Sequence, residues 1–435
     1  MNQALFRYIA ACPTAYNAVA HTASLLEAEG YLPLCEGREW KPEAGRGYYV
    51  TRNGSSLIAF RMPEGDFSGF MMTAAHGDSP AFKIKENNEM ADSHYLRLSV
   101  ERYGGMLCAT WMDRPLSIAG RVTVRTRTGL AVKAVDLHDT HALIPSVAIH
   151  MNRNANDGAT YNANVDMVPL LGEAADAGLI RRRTAAAAGV AEADILTTDL
   201  FLYNPQEGME WNGYVSAPRL DDLQCAFASL TAFIESGKAE KKPATVPVFC
   251  LFDNEEVGSH TKQGAASTFL ADVLNRISAA CGLTSDGMIR KLAQSFMVSC
   301  DNAHAVHPNH PEYQDKNHAP YMNGGVVIKY NANQKYTTDA VSAGIFGLIC
   351  EGAGVPVQRF ANRADMAGGS TLGSIANTQV SLNTIDIGIA QLAMHSAYET
   401  AGAKDTAHMV NALAAFFGAE IVMEADGSYE IQRRT

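Results

Sequence analysis

Apolar positions along this chain follow two different rhythms. Residues 14–29 repeat at helical spacing and predict an amphipathic helix. SLIAFRM (56–62) and GFMMTAAH (69–76) are short, nearly unbroken apolar runs, and they predict buried strands. From about 90 to 205 the texture changes. VTVRT (122–126) alternates like a half-exposed strand, while Gly104-Gly105 and Asp157-Gly158 carry turn chemistry. An alanine-rich stretch with Arg181, Arg182 and Arg183 predicts a solvated helix. Beyond about 210, VPVFCLFD (246–253) precedes a helical run to about 280. FMVSC (296–300) and GVVIK (325–329) read as further buried strands, and helices are predicted over 338–352, 388–403 and 406–418.

Strands alternating with helices predict an α/β fold, a sheet with helices on both faces. The β-rich middle reads as an insertion that splits this domain. The expected organisation is 1–85 and 210–435 as the two parts of one domain, with 86–209 between them. A length of 435 residues exceeds what one core organises, which agrees with two domains.

Composition narrows the function classes. The net charge of −11 argues against a nucleic-acid footprint or a membrane-surface role. No run reaches the roughly 18 apolar residues of a membrane span. The first residues lack the basic start and apolar core of a signal peptide. Eight cysteines are scattered without a CxxC pair, which suits reduced thiols, so the expected location is cytoplasmic.

Four acidic or histidine-bearing segments stand at strand ends, where open α/β sheets place their ligand sites. They are AAHGDSP (74–80), APRLDDL (217–223), LFDNEEVGS (251–259) and VSCDNAHAVHPN (298–309), with AMHSAYE (393–399) as a fifth. In LFDNEEVGS a buried strand runs straight into Asp253, Glu255 and Glu256, a costly cluster unless a cation compensates it. One of Glu255 and Glu256 can ligate a metal while the other activates water; alone, the segment also fits a solvated acidic turn. His76 and Asp78 have the spacing of a zinc ligand with a supporting carboxylate. An isolated HxD is more often structural.

A charge count joins the fragments. Asp221, Glu256 and Asp301 contribute three negative charges, with His76 and His395 neutral. Two dications and one bridging hydroxide bring that set to zero. Two histidines and three carboxylates, one of them shared, suit a zinc pair about 3.5–4 Å apart. Glu255 would then take the proton of the attacking water and deliver it to the leaving amine.

The whole chain resembles the M18 metallopeptidases, the aspartyl aminopeptidases. The matching segments are AHGDSP, WMDRPLSIAGRV (111–122), IPSVAIHMNR (144–153), APRLDDL, DNEEVGS, DNAHAVHPN, NGGVVIKYNANQKYTT (323–338), DMAGGSTLGSI (365–375) and TIDIGIAQLAMHS (384–396). The resemblance implies two zinc ions per subunit, with manganese or cobalt able to occupy one site. By resemblance, His76 and Asp301 hold one ion, Glu256 and His395 the other, and Asp221 bridges both. Glu255 matches the catalytic base and Asp78 the carboxylate behind His76. His304, Lys329 and Tyr336 match substrate contacts, and His150 matches a histidine reaching into a neighbouring subunit's site. The implied substrates are peptides with an acidic N-terminal residue. The implied architecture is a zinc-exopeptidase-like mixed sheet flanked by helices, interrupted by a β-rich dimerisation domain. The family is similar in forming homo-oligomers, dodecamers built from dimers.

Lys329 ends a β-like run and can present an ammonium to a substrate carboxylate, although a solvent-facing lysine at a strand end is the plainer reading of the spacing alone. His150 follows an apolar run, VAI, which by itself suggests a core histidine. Three segments depart from the family pattern. Asp222 stands where Asn is usual, Gly77 where Thr is usual, and Ala367-Gly368 where a Gly-Cys pair is common. None removes a ligand. Asp222 adds a carboxylate, which bears on an acidic-substrate preference, so a broader two-metal aminopeptidase is the rival enzyme. A non-catalytic assembly protein of the same fold is a rival of another class. HExxH, GxSxG, Walker A and GxGxxG motifs are absent.

Overall fold

The computed structural model describes residues 1–433. Four parallel strands form the middle of a mixed sheet: Val246–Phe252, Phe70–His76, Phe296–Cys300 and Asn383–Leu392, side by side in that order. Ser56–Arg61 and Gly47–Arg52 continue it antiparallel on one side. On the other, Glu399–Gly402 and Val326–Tyr330 both pair antiparallel with Asn383–Leu392.

Every residue of Phe70–His76, Val246–Phe252 and Phe296–Cys300 is buried, which explains their unbroken apolar runs. Alternate residues feed opposite layers. Met71, Ala75, Phe249 and Leu251 pack against Asn2–Ala11, Ala15–Ala28, Leu220–Lys238, Ala340–Gly352 and Asp405–Phe417 on one face. Phe70, Met72, Val248 and Phe252 pack against Phe269–Ala280 and Leu372–Ala376 on the other. A fully buried Phe such as Phe249 is worth about 2–3 kcal/mol of transfer free energy. A helix–sheet–helix sandwich is therefore the α/β architecture expected.

A second sheet, of six antiparallel strands, is inserted between Phe70–His76 and the rest. Its order is Leu130–Asp136, Ser117–Arg125, Ile195–Tyr203, Ala81–Ala91, Tyr95–Tyr103, Leu170–Glu173. It has its own core around Phe82, Trp111, Ile118, Leu200 and Leu202. Phe82 and Trp111 meet edge to face, with ring centroids 5.5 Å apart.

One predicted element is corrected. The helix expected over 388–403 is not formed: the chain continues as strand to Leu392, turns, and returns as strand Glu399–Gly402. A continuous apolar run buried on both faces has no period that separates strand from helix. Gly388 favours the strand, because a Cβ there would lie 2.1 Å from the Asp301 carbonyl oxygen of the neighbouring chain segment. Among the described residues no helix is long and apolar enough to cross a membrane.

Candidate metal centre

The parallel strands end on one edge of the sheet, and their ends carry the chemistry. His76 closes Phe70–His76, Asp253 follows Val246–Phe252, Asp301 follows Phe296–Cys300, and His395 lies three residues beyond Asn383–Leu392. Asp221 stands at the start of Leu220–Lys238, and its peptide bond to Asp222 is cis. Asn254 and His395 adopt left-handed backbone, φ 63° and 66°, so the chain turns sharply just before Glu255 and at His395 itself.

His76 is 1 % exposed. Its Nδ1 lies 3.0 Å from the Asp78 main-chain oxygen and 3.5 Å from Asp78 Oδ1. A proton on Nδ1 satisfies that contact and leaves Nε2 as a lone-pair donor. Nε2 points at Asp221 Oδ1, 3.5 Å away, and at Glu255 Oε2, 4.0 Å away. The other oxygen of Asp221 is 3.3 Å from His395 Nε2, which is in turn 3.3 Å from Glu256 Oε2. Asp221 thus stands between two clusters with the spacing of metal ligands, His76–Asp221–Glu256 and Asp221–Asp222–Asp301.

The electrostatics are those of a centre built for cations. Burial, reinforced by Asp301, Asp78 and Asp221 and opposed by His76, pushes Glu255 up to about 8. Burial also raises Glu256, Asp222 and Asp301, and neighbouring carboxylates add to the rise of each. Asp221 moves the other way: burial opposes its charge, but hydrogen bonds from His395 and His76 hold it below the usual carboxylate range. Burial opposes the His76 charge too, and its bonds to Asp221 and Asp78 outweigh that and raise it. Two buried oxygens, Asp222 Oδ1 and Glu256 Oε1, have no hydrogen-bond partner. An unpaired buried carboxylate oxygen is expensive, and a dication satisfies it without a proton. The donor set of imidazole and carboxylate fits zinc.

Of the expected substrate residues, three gather beside this cluster. Lys329 is 2 % exposed and donates to the main-chain oxygens of Asp301 at 2.7 Å and Asn302 at 3.4 Å. Its ammonium lies 5.2 Å from the centre of the Tyr336 ring, a cation–π contact. His304 is exposed and meets Phe360 edge to face. His150 lies apart, on an exposed loop with Val147, Ile149 and Met151, so the core position suggested by the VAI run is not what it occupies. Asp222 is fully buried, and its Oδ2 accepts the His76 main-chain N–H at 3.2 Å. A Cβ at Gly77 would make only ordinary contacts, 3.4 Å to Leu251 and 3.5 Å to Ala18. Gly368 is different: a Cβ there would strike Asn362 at 2.3 Å.

Sequence reading missed three supports. The buried Glu399 carboxylate accepts the main-chain N–H of Asp221 at 3.0 Å and of His395 at 2.7 Å. The Tyr103 hydroxyl donates to Asp78 Oδ2 at 2.7 Å, and that carboxylate also takes the N–H groups of Glu255 and Glu256 at 3.2 Å each. Asp386, fully buried, accepts from Thr337 N and Oγ1 and from Thr371 Oγ1, tying together the two loops behind Tyr336. Glu399 stands in a segment already singled out, AMHSAYE, and its place four residues after His395 was the available signal.

Comparison with known proteins gives a consistent result. The model of the family described as aminopeptidase I zinc metalloprotease (M18) matches residues 8–417. A probable M18 family aminopeptidase 2 of Pseudomonas paraeruginosa is 42 % identical over 429 residues, covering 96 % of this chain and 98 % of that protein. Among solved structures, the Ape4 and Nbr1 complex superposes with a TM-score of 0.91 at 33 % identity, over 95 % of this chain and 85 % of that one. The S. cerevisiae mApe1 dodecamer superposes with a TM-score of 0.84 at 29 % identity, over 95 % of both chains. With the family model and a close relative both spanning nearly its whole length, this chain belongs to the M18 family of zinc metallo-aminopeptidases.

Proposed function

We propose that this aminopeptidase works with two zinc ions per subunit and removes Asp or Glu from the N-terminus of peptides. The observation that carries the reading is Asp221, whose two oxygens face His76 and His395 at 3.5 and 3.3 Å and which belongs to both ligand-spaced clusters. In this reading His76 and Asp301 hold one ion, Glu256 and His395 the other, and Asp221 both; manganese or cobalt can replace zinc at one of them. Such a pair, when bound, supplies a nucleophile from water near neutral pH and polarises the scissile carbonyl.

The chain's own groups do the rest. Glu255 accepts the water proton and returns it to the leaving amine, a role supported by its place beside the cluster, 4.0 Å from His76 Nε2. Asp78 holds His76 in one tautomer. Lys329 spends two ammonium protons on main-chain oxygens and has a third for the side-chain carboxylate of an N-terminal Asp or Glu. Tyr336 backs that charge, and His304 on the rim donates to a substrate carbonyl.

His150, on its exposed loop, would complete the site of a neighbouring subunit, with residues 86–209 forming the dimer contact. The assembly proposed is a homo-oligomer, a dodecamer built from dimers; the S. cerevisiae relative is a dodecamer. Free cysteines throughout support a cytoplasmic location. One observation favours a second reading, a broader side-chain preference: Asp222 adds a buried carboxylate with an unpartnered oxygen to the centre.

Initial rates on Asp-, Glu-, Leu- and Lys-p-nitroanilide, with zinc or manganese and a chelated control, decide between them. Fast chelator-sensitive cleavage of the Asp and Glu substrates supports the acidic pocket. Cleavage favouring Leu moves the assignment to the broader enzyme, and no metal-dependent cleavage at all rejects the reading.

A further inference from the structure

The six-stranded sheet touches the metal centre along a short stretch, residues 103–110, which leaves the end of strand Tyr95–Tyr103 and passes into the turn Cys108–Trp111. Five residues along it make contacts in turn. The Tyr103 hydroxyl donates to Asp78 Oδ2 at 2.7 Å and accepts from Asn254 Nδ2 at 2.9 Å. Gly104 has φ +72°, and a Cβ placed on it would lie 3.1 Å from Glu256 Cβ. The Gly105 main chain is hydrogen-bonded to the His395 ring. Leu107 N donates to the His395 carbonyl at 3.1 Å, and the Thr110 hydroxyl accepts from Ala397 N at 2.9 Å.

We propose that residues 103–110 form a strap by which the inserted sheet sets the geometry of both metal subsites, with Tyr103 and Gly104 as its positioning residues. The proposal rests on the two-ion reading of the centre. Its logic is that of outer-shell control: a carboxylate that orients a ligating histidine must itself be held. Asp78 has only a few ways to be held. Its charge faces the main-chain N–H groups of Glu255 and Glu256, and the phenol of Tyr103 is the side chain that fixes its second oxygen. On the other flank, the bond from the His395 ring to the Gly105 main chain sets the plane of that ring, and Gly104 leaves just enough room for Glu256 to turn towards it. Asp78 and His76 serve one subsite, Glu256 and His395 the other, so one stretch of the insertion reaches both. A shift of the inserted sheet against the main sheet would therefore be felt as a change in metal geometry, not as a change in the substrate pocket around Lys329.

The test compares full-length wild type with Tyr103→Phe and Gly104→Ala, reading zinc affinity by chelator competition and kcat and KM separately on the best substrate. Tyr103→Phe removes one oxygen atom and no packing volume. The expected result is a loss of about 10–100-fold in zinc affinity or kcat, the size typical of outer-shell partners, with KM nearly unchanged. Gly104→Ala is expected to weaken one of the two zinc sites more than the other, because the atoms nearest its methyl belong to Glu256. Wild-type zinc affinity and kcat in both variants would overturn the strap, as would a change confined to KM. Should Tyr103→Phe also lower the thermal stability of the metal-free protein, Gly104→Ala alone decides, by unequal or equal zinc loss. Failure of the wild type itself to bind two zinc ions would reject the underlying reading instead, and the two failures are distinguishable.

Discussion

The Lys329 ammonium donates to the main-chain oxygen of Asp301 at 2.7 Å while standing 3.7 Å from that residue's carboxylate. A buried cation is thus anchored to the residue proposed to hold a metal, so in the proposed reading substrate side chain and scissile bond are measured from the same point. Lys329→Met removes the charge and keeps most of the volume. The expected outcome is a loss of about 1.5–3 kcal/mol of transition-state binding for Asp and Glu substrates, the worth of a charged hydrogen bond. Leu substrates should change far less. The ratio of kcat/KM values for Glu and Leu substrates measures it, and an unchanged ratio rejects Lys329 as the selector.

Glu255→Gln keeps shape and one acceptor oxygen but cannot take a proton. Metal content measured by elemental analysis should stay at the wild-type value, while kcat falls by roughly 10²–10⁴, the usual contribution of a positioned acid–base group. Normal turnover in this variant would sink the mechanism.

Chelation should make stability depend on pH in a definite direction. In the metal-free centre Glu255 and Glu399 are both pushed up to about 8, mainly by burial and then by carboxylate neighbours. A folded-state value above the unfolded one means stability that is present below about pH 4.5 and is lost as the pH rises towards 8. Asp221 is shifted the other way, and its effect falls below that window, in the acid range. The melting temperature of the chelated protein should therefore fall between pH 5.5 and about 8.5. With zinc bound, the fall should shrink or vanish, because the cation replaces the protons. Calorimetry with and without chelator checks it; a flat profile in the chelated sample contradicts it.

Glu399 accepts two main-chain N–H groups, one from each of two proposed ligands. Glu399→Gln turns one acceptor into a donor facing an N–H. Zinc affinity is expected to fall about 10–100-fold, with chelator competition as the readout. Retention of wild-type affinity would leave Glu399 as packing only.

Much of this was legible in the chain because the central strands are buried on both faces and announce themselves as apolar runs ending in charge. Phe70–His76 into Asp78 and Val246–Phe252 into Glu255 and Glu256 are the plainest cases. The same property misled at 388–403, where an apolar run without alternation reads as helix although Gly388 permits a strand. Tyr103 and Asp386 were not legible because their partners are fixed only by tertiary packing. Tyr103 lies 25 residues from Asp78, and Asp386 lies 49 from Thr337, distances at which no local pattern operates. His150 illustrates a third case: a local apolar pattern pointed to the core, and the loop carries Met151 85 % exposed instead.

The order of strands across the sheet differs from their order along the chain. Asn383–Leu392 lies between Phe296–Cys300 and Val326–Tyr330, although both are made before it. During synthesis the sheet therefore keeps an unfilled slot until that late segment leaves the ribosome, and His395 and Glu399 arrive with it. A nascent chain carries every other proposed ligand yet lacks the last walls of the centre. The strand order therefore leaves the centre incomplete until the last part of the chain has been made.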